Sequence, residues 1–365
     1  LSCDQRRASP TPAPSSCALP GPTPSAPLPE RAVEGEVAFE LLAIQDGALL
    51  AWGRPRGGLE LELLDGAGRA AGAPIEVKLS PGSPIIEIAG ASLGGRVGLA
   101  WLSRSASGAA TFGVIGDAET RSFSEAFALS EVSVGDPTRR GHVAFAVSDK
   151  HRMVALTRGM DEPCDDEKQC ATFRFRELLS TGPELRGLPA SVPSPCPSPL
   201  AGFELVGERS HYAYCSRASS RSEVTAFMRQ PDPLYVGLSK PAPGCDPLGS
   251  LRVGSDALFV LECAEGRRGM RIGGLGDRER NVDLTSPKLE CVLGRPRLSA
   301  PGSPPLVVHL GEMLGNLGPL LPAAFGAPGS RAAWTGTSLL VASWMRGNVI
   351  LRRYECRGAD LVRTG

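Results

Sequence analysis

A short apolar run recurs seven times along the chain, each time followed, after a few turn residues, by a second run of similar length. The first members are GALLAW (47–52), GRVGLAW (95–101), HRMVALTR (151–158), SHYAYCSR (210–217), DALFVLEC (256–263), PPLVVHLG (304–311) and TSLLVASW (337–344). Their starts lie 48, 56, 59, 46, 48 and 33 residues apart, mostly the length of one four-stranded antiparallel unit. The following runs are LELELLDG (59–66), ATFGVIGD (110–117), CATFRFRE (170–177), SEVTAFMR (222–229), GMRIGGLG (269–276), LGNLGPLL (314–321) and NVILRRYE (348–355). Turn residues such as Asp46-Gly47, Gly94-Gly95 and Gly116-Asp117 separate the runs, the chemistry of tight hairpins. No helical period competes with this pattern.

Strands this short cannot bury both faces within one sheet, whereas units packed face to face around an axis can. Residues 35–365 therefore resemble a β-propeller: all-β, seven blades of four antiparallel strands, with six blades as the alternative because the unit at 292–322 is short and rich in Pro and Gly. The WD dipeptide, the kelch double glycine and the SxDxGxTW box are missing, so the resemblance is to the architecture and carries no family function.

Residues 1–34 read differently. Pro10, Pro12, Pro14, Pro20, Pro22, Pro24, Pro27 and Pro29 stand among Ser, Thr and Ala, a disordered, semi-rigid tether of about 3 Å per residue. Leu1-Ser2-Cys3-Asp4 resembles the end of a bacterial lipoprotein signal, which implies lipidation at Cys3 and a periplasmic or cell-surface address. Apart from such an anchor, no segment is apolar enough to span a membrane.

Thirty-nine basic residues balance 39 acidic ones, so no net field favours nucleic acid. Ten cysteines without a CxxC pair argue for disulfides in an oxidising compartment rather than a zinc ribbon. Aligning the repeats pairs Cys196 with Cys215 and Cys245 with Cys263, each joining an inter-unit connection to the end of its own second strand. Cys164 and Cys170 bracket the acidic tip Asp161–Glu167 and form a third candidate pair, and Cys17, Cys291 and Cys356 stay unassigned. The tip lacks the ligand spacing of a calcium loop.

The first strands of the units place Glu40, Glu87, Phe145, Glu204, Arg252, Arg297 and Trp334 in one column, expected to surround the central channel. There the charges must pair or recruit a ligand. Unpaired, Glu40, Glu87 or Glu204 would be candidates for general acid–base chemistry on a polysaccharide by a hydrolase or lyase. The loops between second and third strands hold Arg54, Arg56, Arg104, Arg158, Arg217, Arg221, Arg267, Arg268 and Arg346, whose forks suit an anionic glycan or an acidic protein. Trp52, Trp101 and Trp344 end equivalent strands and read as packing residues. No metal motif, nucleophile elbow or phosphate loop occurs, and no cofactor is expected. The pattern as a whole implies a non-catalytic binding or scaffolding module whose partner is an envelope protein or a glycan.

Overall fold

The computed structural model describes residues 31–32, 38–54, 57–78, 84–105, 108–133, 142–147, 152–159, 172–179, 185–193, 200–206, 210–215, 222–229, 235–242, 245–273, 279–327 and 329–365. They are almost entirely β. A short strand β1 (Arg31–Ala32) precedes seven antiparallel sheets. The first holds β2 (Phe39–Ile44), β3 (Gly47–Gly53), β4 (Leu59–Asp65) and β5 (Ile75–Val77), and the second β6 (Ile85–Leu93), β7 (Arg96–Ser105), β8 (Gly108–Asp117), β9 (Ser122–Phe123) and β10 (Phe127–Ser133). The third comprises β11 (His142–Val147), β12 (Arg152–Gly159), β13 (Thr172–Leu179) and β14 (Leu185–Pro193). The fourth comprises β15 (Leu200–Val206), β16 (Ser210–Cys215), β17 (Ser222–Arg229) and β18 (Tyr235–Ala242). The fifth runs through β19 (Cys245–Val253), β20 (Asp256–Cys263), β21 (Gly266–Gly273) and β22 (Glu279–Asp283), and the sixth through β23 (Lys288–Val292), β24 (Arg295–Ala300) and β25 (Leu306–His309). After β26 (Met313–Gly315), the seventh holds β27 (Arg331–Trp334), β28 (Leu339–Met345), β29 (Asn348–Arg357) and β30 (Asp360–Arg363).

Three of these sheets, the first, third and fourth, are simple meanders of four consecutive strands, the propeller pattern, and the second, fifth and seventh hold the same run with β10, β26 or β1 added. Their first strands adjoin in sequence: β2 lies beside β6, β6 beside β11, β11 beside β15, β15 beside β19, and β27 closes back onto β2. Among the described side chains, the second strands β3, β7, β20 and β28 are largely buried on both faces, all seven residues of β3 included, which is why they appear in the sequence as continuous apolar runs. Asp46 (φ 58°) and Gly94 (φ 64°) take the left-handed conformation that the two-residue hairpins demand.

The two ends of the chain meet in one core. Leu41, Leu50, Trp52 and Leu64 of the first sheet pack on Ala333, Leu340, Ala342, Val349 and Leu351 of the seventh. Above this core the Thr335 and Thr337 hydroxyls donate to the Gly66 carbonyl at 3.1 and 3.2 Å, and Arg353 donates to the Ala67 carbonyl at 3.1 Å. Gly66 is required there, because a Cβ would fall 2.7 Å from the Thr337 hydroxyl. Thr335 is buried, so Thr335→Val is expected to lower the unfolding free energy by about 1 kcal/mol, read from urea denaturation. β1 adds to the same seam: Arg31 and Ala32 pair with Val349 and Asn348.

The sixth sheet departs from the repeat. Its second run, 314–321, was expected to be a strand. Gly315, Gly318 and Pro319 break it, leaving β26 and a 3-10 turn at Gly318–Leu320. Residues 288–292 instead supply the first strand, and the expected first strand becomes the middle one. Burial alternates along β24, with Pro296, Leu298 and Ala300 inside and Arg297 and Ser299 only partly covered. The sheet thus packs by one face, its Leu298, Ala300, Leu306 and Val308 joining a core shared with the fifth and seventh sheets.

Candidate functional site

The predicted column divides. Glu40, Glu87, Arg252 and Trp334 lie on β2, β6, β19 and β27, the inner strands of their sheets, and the backbones of Phe145 and Glu204 lie on β11 and β15. Arg297 does not join them: it stands on the middle strand of the sixth sheet. The central position there falls to β26, which pairs antiparallel with β19, Arg252 opposite Leu314, and lies beside β2 and β6. Met313 of β26 is buried with Leu310, Leu317, Leu320 and Leu321. β26 therefore stands among the inner strands β2, β6 and β19.

Glu40 is the deeply buried carboxylate of the column, its side chain 8% exposed. Its Oε1 accepts the Leu41 N–H at 3.0 Å, and its Oε2 lies 3.4 Å from Nε of Arg331 on the neighbouring β27. That Nε is buried and makes no well-formed hydrogen bond, so the pair is a Coulombic contact rather than an aligned fork. Burial pushes the Glu40 carboxyl up from its ordinary value, and Arg331 and the Leu41 N–H offset this only in part. Arg331 is further held by the Gly329 carbonyl at 3.1 Å, and its guanidinium lies 5.9 Å from the Phe39 ring centre. Arg252 donates from Nε to the Gly254 carbonyl at 3.0 Å, and the Trp334 ring lies close to Gly311, where a Cβ would fall 3.3 Å from its Cδ1.

Arg297 finds its partner within its own sheet. Glu290, Arg297 and His309 stand directly opposite one another on three successive strands. Arg297 is ion-paired with Glu290, which also takes Lys288 at 2.9 Å. The two cations, chiefly through hydrogen bonds, hold the Glu290 carboxyl down at about 2. A lowered carboxyl favours the fold above its unfolded value near 4.5 and loses that contribution as pH falls toward 2. Arg297→Ala is expected to return the Glu290 titration toward 4.5, observable by carboxyl carbon NMR.

On the arginine face, Arg54 pairs with Glu60 at 2.6 Å and Glu76 at 3.0 Å. Arg267 pairs with Glu262 at 3.4 Å and donates to the Pro319 carbonyl at 2.9 Å, and Arg268 pairs with Glu265. Arg346 is exposed at the β28–β29 turn. The side chains of Arg56, Arg104, Arg158, Arg217 and Arg221 lie outside the described residues. Trp52 and Trp101 are buried as expected, but Trp344 is 38% exposed, because the hairpin carries it past the edge of the core.

Cys245 and Cys263 form the disulfide read from the repeat. A second joins Cys291 to Cys356 and had no signal in the repeat, since it bridges the irregular sixth sheet to the seventh. Cys3, Cys17 and the pairings Cys196–Cys215 and Cys164–Cys170 lie outside the described residues, as does the acidic tip. Disulfides are the mark of an extracytoplasmic environment. No helix among the described residues is long and apolar enough to cross a membrane, and no group of three potential metal ligands occurs among them.

No protein family model matches the sequence, and no curated protein matches it. Among solved structures, the chain is similar to a lectin of Aleuria aurantia in complex with α-methyl-L-fucoside, at 8% identity and TM-score 0.46 over 92% of this chain and 96% of the other. It is also similar to an aldose sugar dehydrogenase of Streptomyces coelicolor, at 13% identity and TM-score 0.40 over 89% and 98%. A third is an acylaminoacyl peptidase of Pyrococcus horikoshii, at 10% identity and TM-score 0.46, where 90% of this chain spans about half (52%) of the other. Likeness at this level transfers neither ligand nor activity.

Proposed function

We propose that this chain is a non-catalytic binding and scaffolding propeller of seven sheets. In this reading it is carried outside the cytoplasm on the Pro-rich segment, with Cys3 as a lipid anchor at the periplasmic or outer face of the envelope and an envelope protein as partner. The observation that carries the reading is the use of Glu40: its carboxylate joins the first sheet to the last, on an inner strand that β26 adjoins. A glycosidase needs two accessible carboxyls about 5–9.5 Å apart, and Glu40 is neither accessible nor unengaged.

A second reading, binding of an anionic glycan, draws on the exposed Trp344 and Arg346 at one hairpin tip, an aromatic platform beside a guanidinium. Incubating the full chain with envelope polysaccharides separates these. The proposal expects no new reducing ends and capture of a protein by cross-linking. Turnover that Glu87→Gln or Glu204→Gln abolishes would overturn it, and retention on an anionic glycan that Trp344→Ala releases would favour the second reading.

A further inference from the structure

Each of the other sheets reaches four or five strands, whereas the sixth stops at three in the order β23-β24-β25. Its β23 edge is covered: the Cys291 N–H donates to the Ala359 carbonyl at 2.8 Å, and the Cys291–Cys356 disulfide ties it to β29. Along the β25 edge no strand pairs among the described residues. Natural sheets guard such an edge with Lys, Pro, an inward charge or a bulge. β25 carries no Lys, bulge or inward charge, although it is four residues long and follows Pro304 and Pro305: it reads Leu306-Val307-Val308-His309, in continuous register with β24.

We infer that the β25 edge accepts an extended, acidic segment of a partner protein as the fourth strand of the sixth sheet. This inference rests on the binding reading above and assigns it one surface. The chemistry of the partner follows from the two faces. On one, Leu306 and Val308 are buried in the shared core, so an added strand needs apolar side chains there. On the other, cross-strand rows place Lys288 beside Ser299 and Val307, and Glu290 beside Arg297 and His309. Lys288, Arg295 and Arg297 outnumber the one carboxylate, Glu290, which is already shared between two of them. Val307 is 55% exposed, whereas the Nδ1 of His309 is buried without a hydrogen-bond partner. Acidic side chains alternating with the apolar ones would lie along Val307 and His309 on this cationic face, while main-chain hydrogen bonds to β25 supply affinity.

The test uses the full chain and two fluorescent ten-residue peptides of equal strand propensity, one alternating Val with Glu and the other Val with Lys. Saturable binding of the Val–Glu peptide is expected, with the Val–Lys peptide at least tenfold weaker. Amide exchange should slow across residues 306–311 on binding. Val307→Lys, an exposed change that leaves the core intact, should weaken the Val–Glu peptide at least tenfold with an unchanged urea midpoint. Binding indifferent to peptide charge, protection located elsewhere, or full affinity in Val307→Lys would overturn the inference. So would a dimer in sedimentation that Val307→Lys dissolves, because a second copy would then own the edge. Capture of an envelope protein that Val307→Lys leaves untouched would remove this surface and keep the binding function.

Discussion

Replacing Cys291 and Cys356 together by alanine is expected to lower the unfolding free energy by about 4 kcal/mol, measured by urea denaturation under oxidising conditions. The bond closes a 65-residue separation, and on the chain-entropy account a loop of that size is worth about 4 kcal/mol against about 3 kcal/mol for the 18-residue separation of Cys245–Cys263. Position reinforces the effect. The sixth sheet is packed on one face only, so it draws less from burial than its neighbours, and the disulfide fixes its outer strand to the seventh sheet. Proteolysis of the double variant should accordingly begin within residues 288–309. A loss no larger than that of Cys245→Ala/Cys263→Ala would show that the sixth sheet is held by its core alone.

The second large effect is expected at Arg331→Ala. Removing one partner of a buried pair leaves the other charge uncompensated, a loss of about 3–5 kcal/mol in a fully buried site. The Arg331 side chain is 31% exposed, which places the expected loss near 3 kcal/mol at pH 7, including its contact with Phe39. The pH dependence distinguishes this from lost packing. Glu40 is already raised in the fold, so the folded state holds that proton more tightly than the unfolded chain does. Stability from this group is fully present below the unfolded value near 4.5 and is lost as pH rises through the folded value. Without Arg331 the carboxyl rises further, so the deficit should be largest at pH 7 and shrink toward pH 4.5. A deficit independent of pH would assign the loss to packing.

Much of this architecture is written locally. A strand buried on both faces is a continuous apolar run between turn residues, and six of the seven second strands, from Gly47–Gly53 to Leu339–Met345, lie where their runs do. The same reasoning fails in the sixth sheet, because a three-stranded sheet packed by one face alternates instead, and Gly315, Gly318 and Pro319 replace the strand the repeat requires. The candidate site is less legible for a different reason. Aligning first strands places Glu40 on β2, but its mate Arg331 stands at the start of β27, off the column that Trp334 occupies. Pairing across the closure of the ring depends on where two distant strands stop sliding past each other, which no local pattern records. Cys291 and Cys356 were hidden in the same way, one in the irregular sheet and one in the last strand pair.

The first and last sheets meet across Glu40 and Arg331. A double-mutant cycle of Glu40→Gln and Arg331→Ala on unfolding free energy at pH 7 addresses this directly. The predicted result is a coupling of about 1–3 kcal/mol, the range for residues in contact. Effects that add to within about 0.3 kcal/mol, as independent sites do, would contradict it.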